Sequence, residues 1–232
     1  ELSVENDGKG PIKLVHPDLS FFDANRFVLK WPEEEIVKLI KASSGLDLYL
    51  YLDAKLYDEN VLERFILPKE IMQEVSDKNP FNLHLYDLRD KHYLSYHFQS
   101  PYQEPIDLNF SFGEVSDVDK GQFSLPDGSY HLHFSQSDGF PTHTEVSIPK
   151  TMFASDQGFY FIYLKDDREL IDTETSVELG EDAIRLAIEG GDYILTPTKL
   201  SSLNDKKIIW ALSLSFLAVV AFAFYRYYSM HR

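Results

Sequence analysis

Leu46-Asp-Leu-Tyr-Leu-Tyr-Leu52 alternates leucine with aspartate or tyrosine, and this stretch decides the fold class of the chain. Successive side chains of an extended strand point to opposite faces, so the leucines would enter a core and the other residues would face outward. The same period of two recurs in five later segments, 82–86, 107–112, 130–134, 159–163 and 183–188. The pattern predicts a mainly β protein whose antiparallel strands pack as a sandwich.

Two helical segments interrupt the strands. The first, residues 32–44, begins with proline and three glutamates and ends before Gly45, which are start and stop signals of a helix. Residues 68–76 form a shorter candidate.

An internal repeat suggests two tandem modules. Residues 65–72 resemble residues 146–153, with further matches between 48–52 and 130–134 and between 85–91 and 162–168. Three matches in the same order favour a duplication, although chance similarity between strand-Pro-Lys segments is the alternative. A duplication predicts a β-rich module over residues 1–101, which contains the helix near 32–44, and a β-sandwich module over residues 105–198.

Composition excludes several classes of function. The 232 residues carry a net charge of −16, and they include no cysteine, which rules out disulfides, thiolate nucleophiles and cysteine metal sites. Residues 199–232 hold five Lys or Arg and one Asp, so the first 198 residues carry −20. Phosphate backbones repel such a surface, which argues against nucleic acid and favours neutral or basic protein partners.

The C-terminal segment predicts a membrane anchor. Residues 208–225 are uncharged and apolar, and Lys206, Lys207 and Arg226 flank them. At about 1.5 Å per residue the segment is about 27 Å long, which matches the hydrocarbon core of a bilayer. We therefore expect a juxtamembrane linker at 199–207, a transmembrane helix at 208–225 and a short basic tail at 226–232. Aromatic residues of the interfacial belts would be Trp210, Tyr225, Tyr227 and Tyr228, and the small residues Ser213, Ser215 and Ala218 would pack against neighbouring helices.

The orientation of the anchor leaves alternatives. A chain that begins at Glu1 resembles a mature protein after removal of a signal peptide, which would place the N-terminal domain outside the cytoplasm. Because cysteine is absent, the bacterial periplasm is favoured over the lumen of the endoplasmic reticulum. A tail-anchored protein with a cytosolic domain is the other possibility, since positive charge flanks both ends of the anchor.

One run resembles a known family. Ser116-Asp-Val-Asp-Lys-Gly-Gln-Phe-Ser-Leu-Pro-Asp-Gly-Ser-Tyr-His-Leu-His-Phe134 is similar to the acidic-turn, Gly-x-Phe and Pro-x-Gly-x-Tyr-x-Leu pattern of carboxypeptidase-regulatory-like, transthyretin-like β-sandwich modules. The resemblance implies a tight turn at 117–121, Phe123 in the core, a second turn at 126–128 and a strand from Tyr130. Such modules are mostly structural or adhesive.

Histidines mark a candidate metal site. His131 and His133 alternate on one predicted strand, and His143 begins the next strand across a turn at Asp138-Gly139. A symmetric hairpin would place His133 opposite His143 and His131 opposite Glu145. Directly opposed Cβ atoms are about 5 Å apart, close enough for the side chains to share a copper or zinc ion. The alternative is a solvated strand face that contains histidines.

Motifs of catalysis are absent from the sequence, so we expect a protein that is not an enzyme. There is no Gly-x-Ser-x-Gly elbow, no His-Glu-x-x-His helix and no phosphate-binding glycine loop. Residues 117–121 resemble the start of a calcium loop but lack its closing glutamate.

Tyrosines offer a candidate protein interface. Tyr49, Tyr51, Tyr93 and Tyr96 alternate with aliphatic residues and could form an exposed patch, unless a second sheet or the helix at 32–44 covers them.

Taken together, the predicted anchor, the acidic β region and the lack of catalytic motifs favour an accessory or scaffold subunit of a membrane protein complex, with the lipid bilayer and other integral membrane proteins as partners. A membrane-tethered copper or zinc protein and an adhesin or receptor ectodomain are the alternatives.

Overall fold

The computed structural model describes residues 2–6, 11–15, 27–54, 62–136, 139–154, 158–166, 169–178, 180 and 182–200. The predicted anchor at 208–225, its aromatic and small residues and the basic tail lie outside these residues. Within the described ranges, no helix combines the length and the apolar character needed to cross a bilayer.

The chain is mainly β, as the alternating segments predict. Three helices are described: α1 Glu33–Ala42, α2 Lys69–Met72 and α3 Asp117–Phe123. The strands are β1 Ser3–Glu5, β2 Ile12–Val15, β3 Phe27–Val28, β4 Leu46–Leu52, β5 Leu62–Arg64, β6 Ile66–Leu67, β7 Phe81–Asp87, β8 His92–Phe98, β9 Ile106–Asp107, β10 Phe110–Glu114, β11 Tyr130–Phe134, β12 Glu145–Pro149, β13 Phe159–Lys165, β14 Leu170–Glu178, β15 Ala183–Ala187 and β16 Asp192–Thr196.

The larger sheet has seven strands in the order β1-β2-β4-β7-β8-β12-β15. Its pairs β2–β4 and β4–β7 are parallel, so the predicted antiparallel pairing does not hold for these strands. Parallel neighbours need a long crossover connection. In sequence, α1 lies between β2 and β4 and α2 lies between β4 and β7. An ion pair of 2.9 Å from Lys41 Nζ to Glu74 Oε1 joins the two crossover regions.

Helix α1 forms where its sequence signals place it. Three glutamates occupy its first turn, at the positive end of the helix dipole. Its apolar positions Ile36 and Ile40, one turn apart, are buried in the same hydrophobic cluster as the leucines of β4. The helix therefore covers the leucine face of the sheet, and the tyrosines of β4 point away from it.

The second sheet has five antiparallel strands in the order β10-β11-β16-β13-β14. Its inward side chains, such as Leu132 of β11 and Tyr160 of β13, belong to the same hydrophobic cluster as Leu50 and Tyr96 of the larger sheet. Two short pairs, β3–β5 and β6–β9, complete the strand pairing of the described residues.

The predicted boundary near residues 101–105 does not divide the fold. Strand β8 pairs with β12, with Tyr96 opposite Val146, and residues Glu1–Thr198 form one compact unit. The two-module prediction is therefore corrected. The repeated segments share only a local pattern, because Pro68 precedes α2 and Pro149 precedes a 3₁₀ turn at Lys150–Met152.

Helix α3 replaces the tight turn that the resemblance implies at 117–121. Ser116 caps it, since its Oγ accepts a hydrogen bond of 3.1 Å from the Asp119 N–H, and Asp117 lies in its first turn. Phe123 is half-buried rather than inside the core. The turn at Asp127-Gly128 and the strand from Tyr130 agree with the prediction.

Candidate functional site

The predicted tyrosine interface is only partly assembled. Tyr49 and Tyr51 lie half-buried on the outer face of β4, opposite His84 and Tyr86 of β7. Tyr96 is fully buried, and its hydroxyl donates a hydrogen bond of 2.9 Å to the Leu108 carbonyl. Its assignment to an exposed patch is therefore wrong.

Tyr93 is also not part of an exposed patch, since it packs partly buried against the core cluster. In its place, histidines join the tyrosines on the outer face of the seven-stranded sheet. We call this surface the histidine–tyrosine face, and its members are Tyr49, Tyr51, His84, Tyr86, His92, Ser95 and His97.

Aromatic rings form a row across four strands of this face. The Lys13 ammonium of β2 lies 4.9 Å from the ring centre of Tyr51. Tyr51 and Tyr86 follow with centroids 5.4 Å apart, and Tyr86 stacks on His92 at 4.7 Å with 13° between the planes. Because each ring lies against the next, the row presents ring edges rather than open ring faces.

A β-bulge brings His92 into this row. In a regular strand, residues 92 and 95 would point to opposite faces because they are three positions apart. The pairing of β7 with β8 shifts register, from Leu85 opposite Leu94 to Tyr86 opposite His92. Bulges re-aim side chains in this way, and both His92 and Ser95 consequently lie on the outer face.

The hydroxyl of Ser95 bridges two imidazoles. Its Oγ lies 2.7 Å from His84 Nδ1 and 2.7 Å from His92 Nε2. The Asp47 carboxylate, which can only accept, lies 3.2 Å from His84 Nε2, so that nitrogen carries the proton. The tautomers of the two rings decide which group donates at each of these two contacts, and the serine oxygen can serve as donor to one ring and acceptor from the other.

A second chain of hydrogen bonds runs from Asp47 toward β12. Asn82 Nδ2 donates to Asp47 Oδ1 at 2.9 Å, and Asn82 Oδ1 lies 2.9 Å from His97 Nδ1. His97 Nε2 lies 2.7 Å from Ser147 Oγ. Since the amide oxygen only accepts, His97 donates from Nδ1 and accepts the Ser147 proton at Nε2.

The surroundings keep two of these rings neutral. Burial, with a smaller contribution from the charge of His84, lowers the pKa of His92 from 6.5 to about 4. Burial also lowers the pKa of His97 to about 4, assisted by Arg185 and by His84. Both side chains are therefore uncharged at neutral pH.

Asp47, His84 and Ser95 form a carboxylate–imidazole–hydroxyl relay like that of serine hydrolases. Ser95, however, is 1% exposed, and His92 engages its oxygen. A nucleophile must reach its substrate, and this hydroxyl is enclosed by two rings. The relay therefore holds imidazoles in place rather than presenting an attacking oxygen.

The predicted metal hairpin is not formed. Strand β11 pairs with β10 and β16, whereas β12 pairs with β8 and β15, so the two strands belong to different sheets. Glu145 lies opposite His97, and His143 precedes β12 in a loop with a φ of 60°. Among the residues that the structure describes, no group of three or more His, Cys, Asp or Glu side chains is arranged to hold a metal ion. The predicted set of His131, His133, His143 and Glu145 is therefore not assembled.

His131 and His133 instead share a carboxylate. Asp192 Oδ1 lies 3.0 Å from His131 Nε2 and 2.5 Å from His133 Nδ1. Asp192 also lines an open cavity of about 710 Å³, together with Lys165, Ile171 and Glu189.

The charge of Lys165 in that cavity is already matched, because its Nζ lies 3.0 Å from Asp119 Oδ1 of α3. Burial opposes ionisation of Asp119, but hydrogen bonds from Lys165 and Ser116 hold the pKa of its carboxyl below the usual value.

The sequence contained a partial signal for the histidine–tyrosine face. In Asn82-Leu-His-Leu-Tyr86, His84 and Tyr86 occupy the same strand face, and that alternation placed them together. The bulge that adds His92 has no comparable signal. Comparisons with protein-family models, with curated proteins and with solved structures return no significant match to this chain.

Proposed function

We propose that this chain is a non-enzymatic accessory subunit of a membrane protein complex, and that the histidine–tyrosine face docks another subunit. The observation that carries the proposal is the row Lys13, Tyr51, Tyr86 and His92, which crosses four strands with ring edges outward. Tyrosine supplies contact area and a hydrogen-bonding hydroxyl at small entropic cost, which is why it is enriched in interfaces.

The way the face is built supports docking. The hydrogen bonds from Asp47 through Asn82 and His97 to Ser147 join four strands, so the surface is preorganised before a partner arrives. A rigid surface loses less entropy on binding than a mobile one. The enclosed Ser95 hydroxyl supports a role without catalysis.

Membrane attachment rests on the sequence. The uncharged segment 208–225, with lysines before it and arginine after it, supports a single transmembrane helix and contact with neighbouring integral membrane proteins. We further propose that residues 1–198 lie outside the cytoplasm. The bacterial periplasm is the favoured compartment, and the lumen of the endoplasmic reticulum is the alternative. The shared core of the two larger sheets supports a sandwich-like packing of this part.

Co-purification tests the proposal. The full chain, extracted from its native membranes in mild detergent, should retain other integral membrane proteins. Replacing Tyr49 and Tyr51 by alanine should release them, since both side chains belong to the docking face. Phe159→Ala is the matched control, because Phe159 is an aromatic residue of the other sheet with 54% of its surface exposed. A monodisperse monomer from native membranes would contradict the proposal, as would equal release by the control variant.

A further inference from the structure

We propose that the open cavity between β14 and β15 is a docking groove for an extended, basic segment of another protein, which adds a strand at the β15 edge of the seven-stranded sheet. The cavity has a volume of about 710 Å³, and Ile171 of β14 and Ala187 of β15 both line it. The inference goes beyond the proposed function, because this groove shares no residue with the histidine–tyrosine face.

The floor of the groove is an apolar row of the five-stranded sheet. Leu164 of β13 lies opposite Tyr193 of β16 on one side and opposite Ile171 of β14 on the other. Tyr193 belongs to the hydrophobic core cluster, and Leu164 packs against it. Exposure rises along the row, from 6% at Tyr193 through the half-buried Leu164 to 46% at Ile171. The cover over this inner face therefore ends before β14.

The cover ends because the opposing sheet ends. Within the described residues, no strand follows β15 in the order of the seven-stranded sheet. An edge strand offers a row of backbone N–H and C=O groups to which an extended segment can add as a further strand. Since Ala187 of β15 lines the same cavity as Ile171, a strand added there would enter the cavity and cover Ile171.

The walls of the groove are already in place. The Gln136 Nε2 donates to the Gly139 carbonyl at 3.0 Å, and the Phe140 N–H donates to the Glu189 carbonyl at 3.0 Å. A Cβ added at Gly190 would lie only 3.3 Å from the Gln136 carbonyl oxygen, so the two wall segments touch. A preformed groove loses little conformational entropy when a partner binds.

Charge selects the occupant. The charged residues that line the cavity are Lys165 and three carboxylates, Asp166, Glu189 and Asp192. The Lys165 ammonium is already paired with Asp119. Residues 169–178 add four exposed acidic side chains and contain no Lys or Arg.

An extended segment that alternates apolar and basic residues fits this groove. Its apolar side chains would lie on Ile171, and its cations would face the acidic rim. A second copy of this chain is a poorer occupant, because its own β14 would bring the same carboxylates against those of the first copy.

Peptide binding to the full chain in nanodiscs of zwitterionic lipid tests the inference. The probe is a fluorescent synthetic peptide that alternates lysine with valine, and the control peptide alternates glutamate with valine. By fluorescence anisotropy, the lysine peptide should bind, and more weakly as salt is added, whereas the glutamate peptide should not bind. Absence of binding by the lysine peptide would overturn the proposal and indicate that the acidic residues of β14 protect the edge from pairing.

Hydrogen exchange separates strand addition from attraction by charge alone. The bound lysine peptide should slow exchange of the β15 amides, residues 183–187. Strand β10, residues 110–114, is an edge of the five-stranded sheet and serves as the reference that should not change. Equal slowing at both edges, or none at β15, would overturn the proposal.

Two pairs of variants test the apolar floor and the acidic rim. Ile171→Ser should weaken binding about tenfold, since half of an isoleucine side chain loses its cover. Val118→Ser is its control, because Val118 is an apolar residue of α3 with 76% of its surface exposed. Glu189→Gln should weaken binding about threefold at low salt, and Glu114→Gln on β10 should leave it unchanged.

Equal weakening by a variant and its control would overturn the proposal, because net charge or general stickiness would then explain the binding. Self-association gives a further check by analytical ultracentrifugation. A dimer of the full chain that Ile171→Ser dissociates would assign the groove to a second copy and overturn the proposal of a basic partner.

Discussion

Replacing Tyr96 with phenylalanine removes one hydroxyl group from the centre of the shared core. Tyr96 is fully buried, and its ring lies nearly parallel to Phe98 with centroids 5.8 Å apart. The hydroxyl donates to the Leu108 carbonyl at 2.9 Å. Because Leu108 lies beyond the predicted module boundary, this bond joins the two halves of the sequence.

The expected loss of stability follows from the buried Leu108 carbonyl, which would keep no donor in place of the Tyr96 hydroxyl. A buried hydrogen bond contributes about 0.5–1.5 kcal/mol, and an acceptor left without its donor costs about 1–3 kcal/mol. Tyr96→Phe should therefore lower the free energy of unfolding by about 1–2 kcal/mol. Tyr96→Ala also removes the ring and should cost about 3–5 kcal/mol.

Urea unfolding of the full chain in detergent measures both losses. The midpoint should move while the dependence on urea concentration stays unchanged, since the surface exposed on unfolding is nearly the same. Tyr49→Phe is the matched control on the outer face and should change stability by less than about 0.5 kcal/mol. Equal stability of Tyr96→Phe and the natural chain would refute the reasoning, as would native-state nitration of Tyr96 as fast as that of Tyr51.

Three further predictions concern the rest of the fold. Fragments 1–101 and 105–198, produced separately, should each lack a cooperative thermal transition by circular dichroism, because β8 pairs with β12; a sharp transition in either would restore the two-module view. Asp192→Asn should lower stability in urea by about 1–2 kcal/mol because it weakens two imidazole contacts, whereas Asp127→Asn at an exposed turn should have little effect. Ser116→Ala should cost about 1 kcal/mol in thermal unfolding through loss of the helix cap, and a threonine at that position should restore most of it.

Strand identity was readable from the sequence, but strand partners were not. The alternation in residues 46–52 correctly separates buried leucines from outward tyrosines, because that period depends only on local backbone geometry. Whether β4 lies parallel or antiparallel to β7 depends on the path of the chain through α2. A periodic pattern carries no information about that path, so the parallel pairs were missed.

The histidine predictions failed for a related reason. A hairpin of β11 and β12 requires the loop after Phe134 to return to the same sheet. Instead β12 lies in the larger sheet, and Gln136, two residues after β11, accepts from the Asp107 N–H of β9 and donates to the Gly139 carbonyl. His92 was missed because a one-residue bulge inverts the face assignment. The pairing of His131 and His133 with Asp192 links residues about 60 positions apart, a separation that strand periodicity does not reach.

Site-specific photocrosslinking in the native membrane tests the docking claim most directly. Benzoylphenylalanine would replace Tyr51 in the histidine–tyrosine face. In a second variant it would replace Phe159 and report on the five-stranded sheet. We predict a crosslink from position 51 to another integral membrane protein and none to that protein from position 159. No crosslink from position 51, or the same product from both positions, would contradict it.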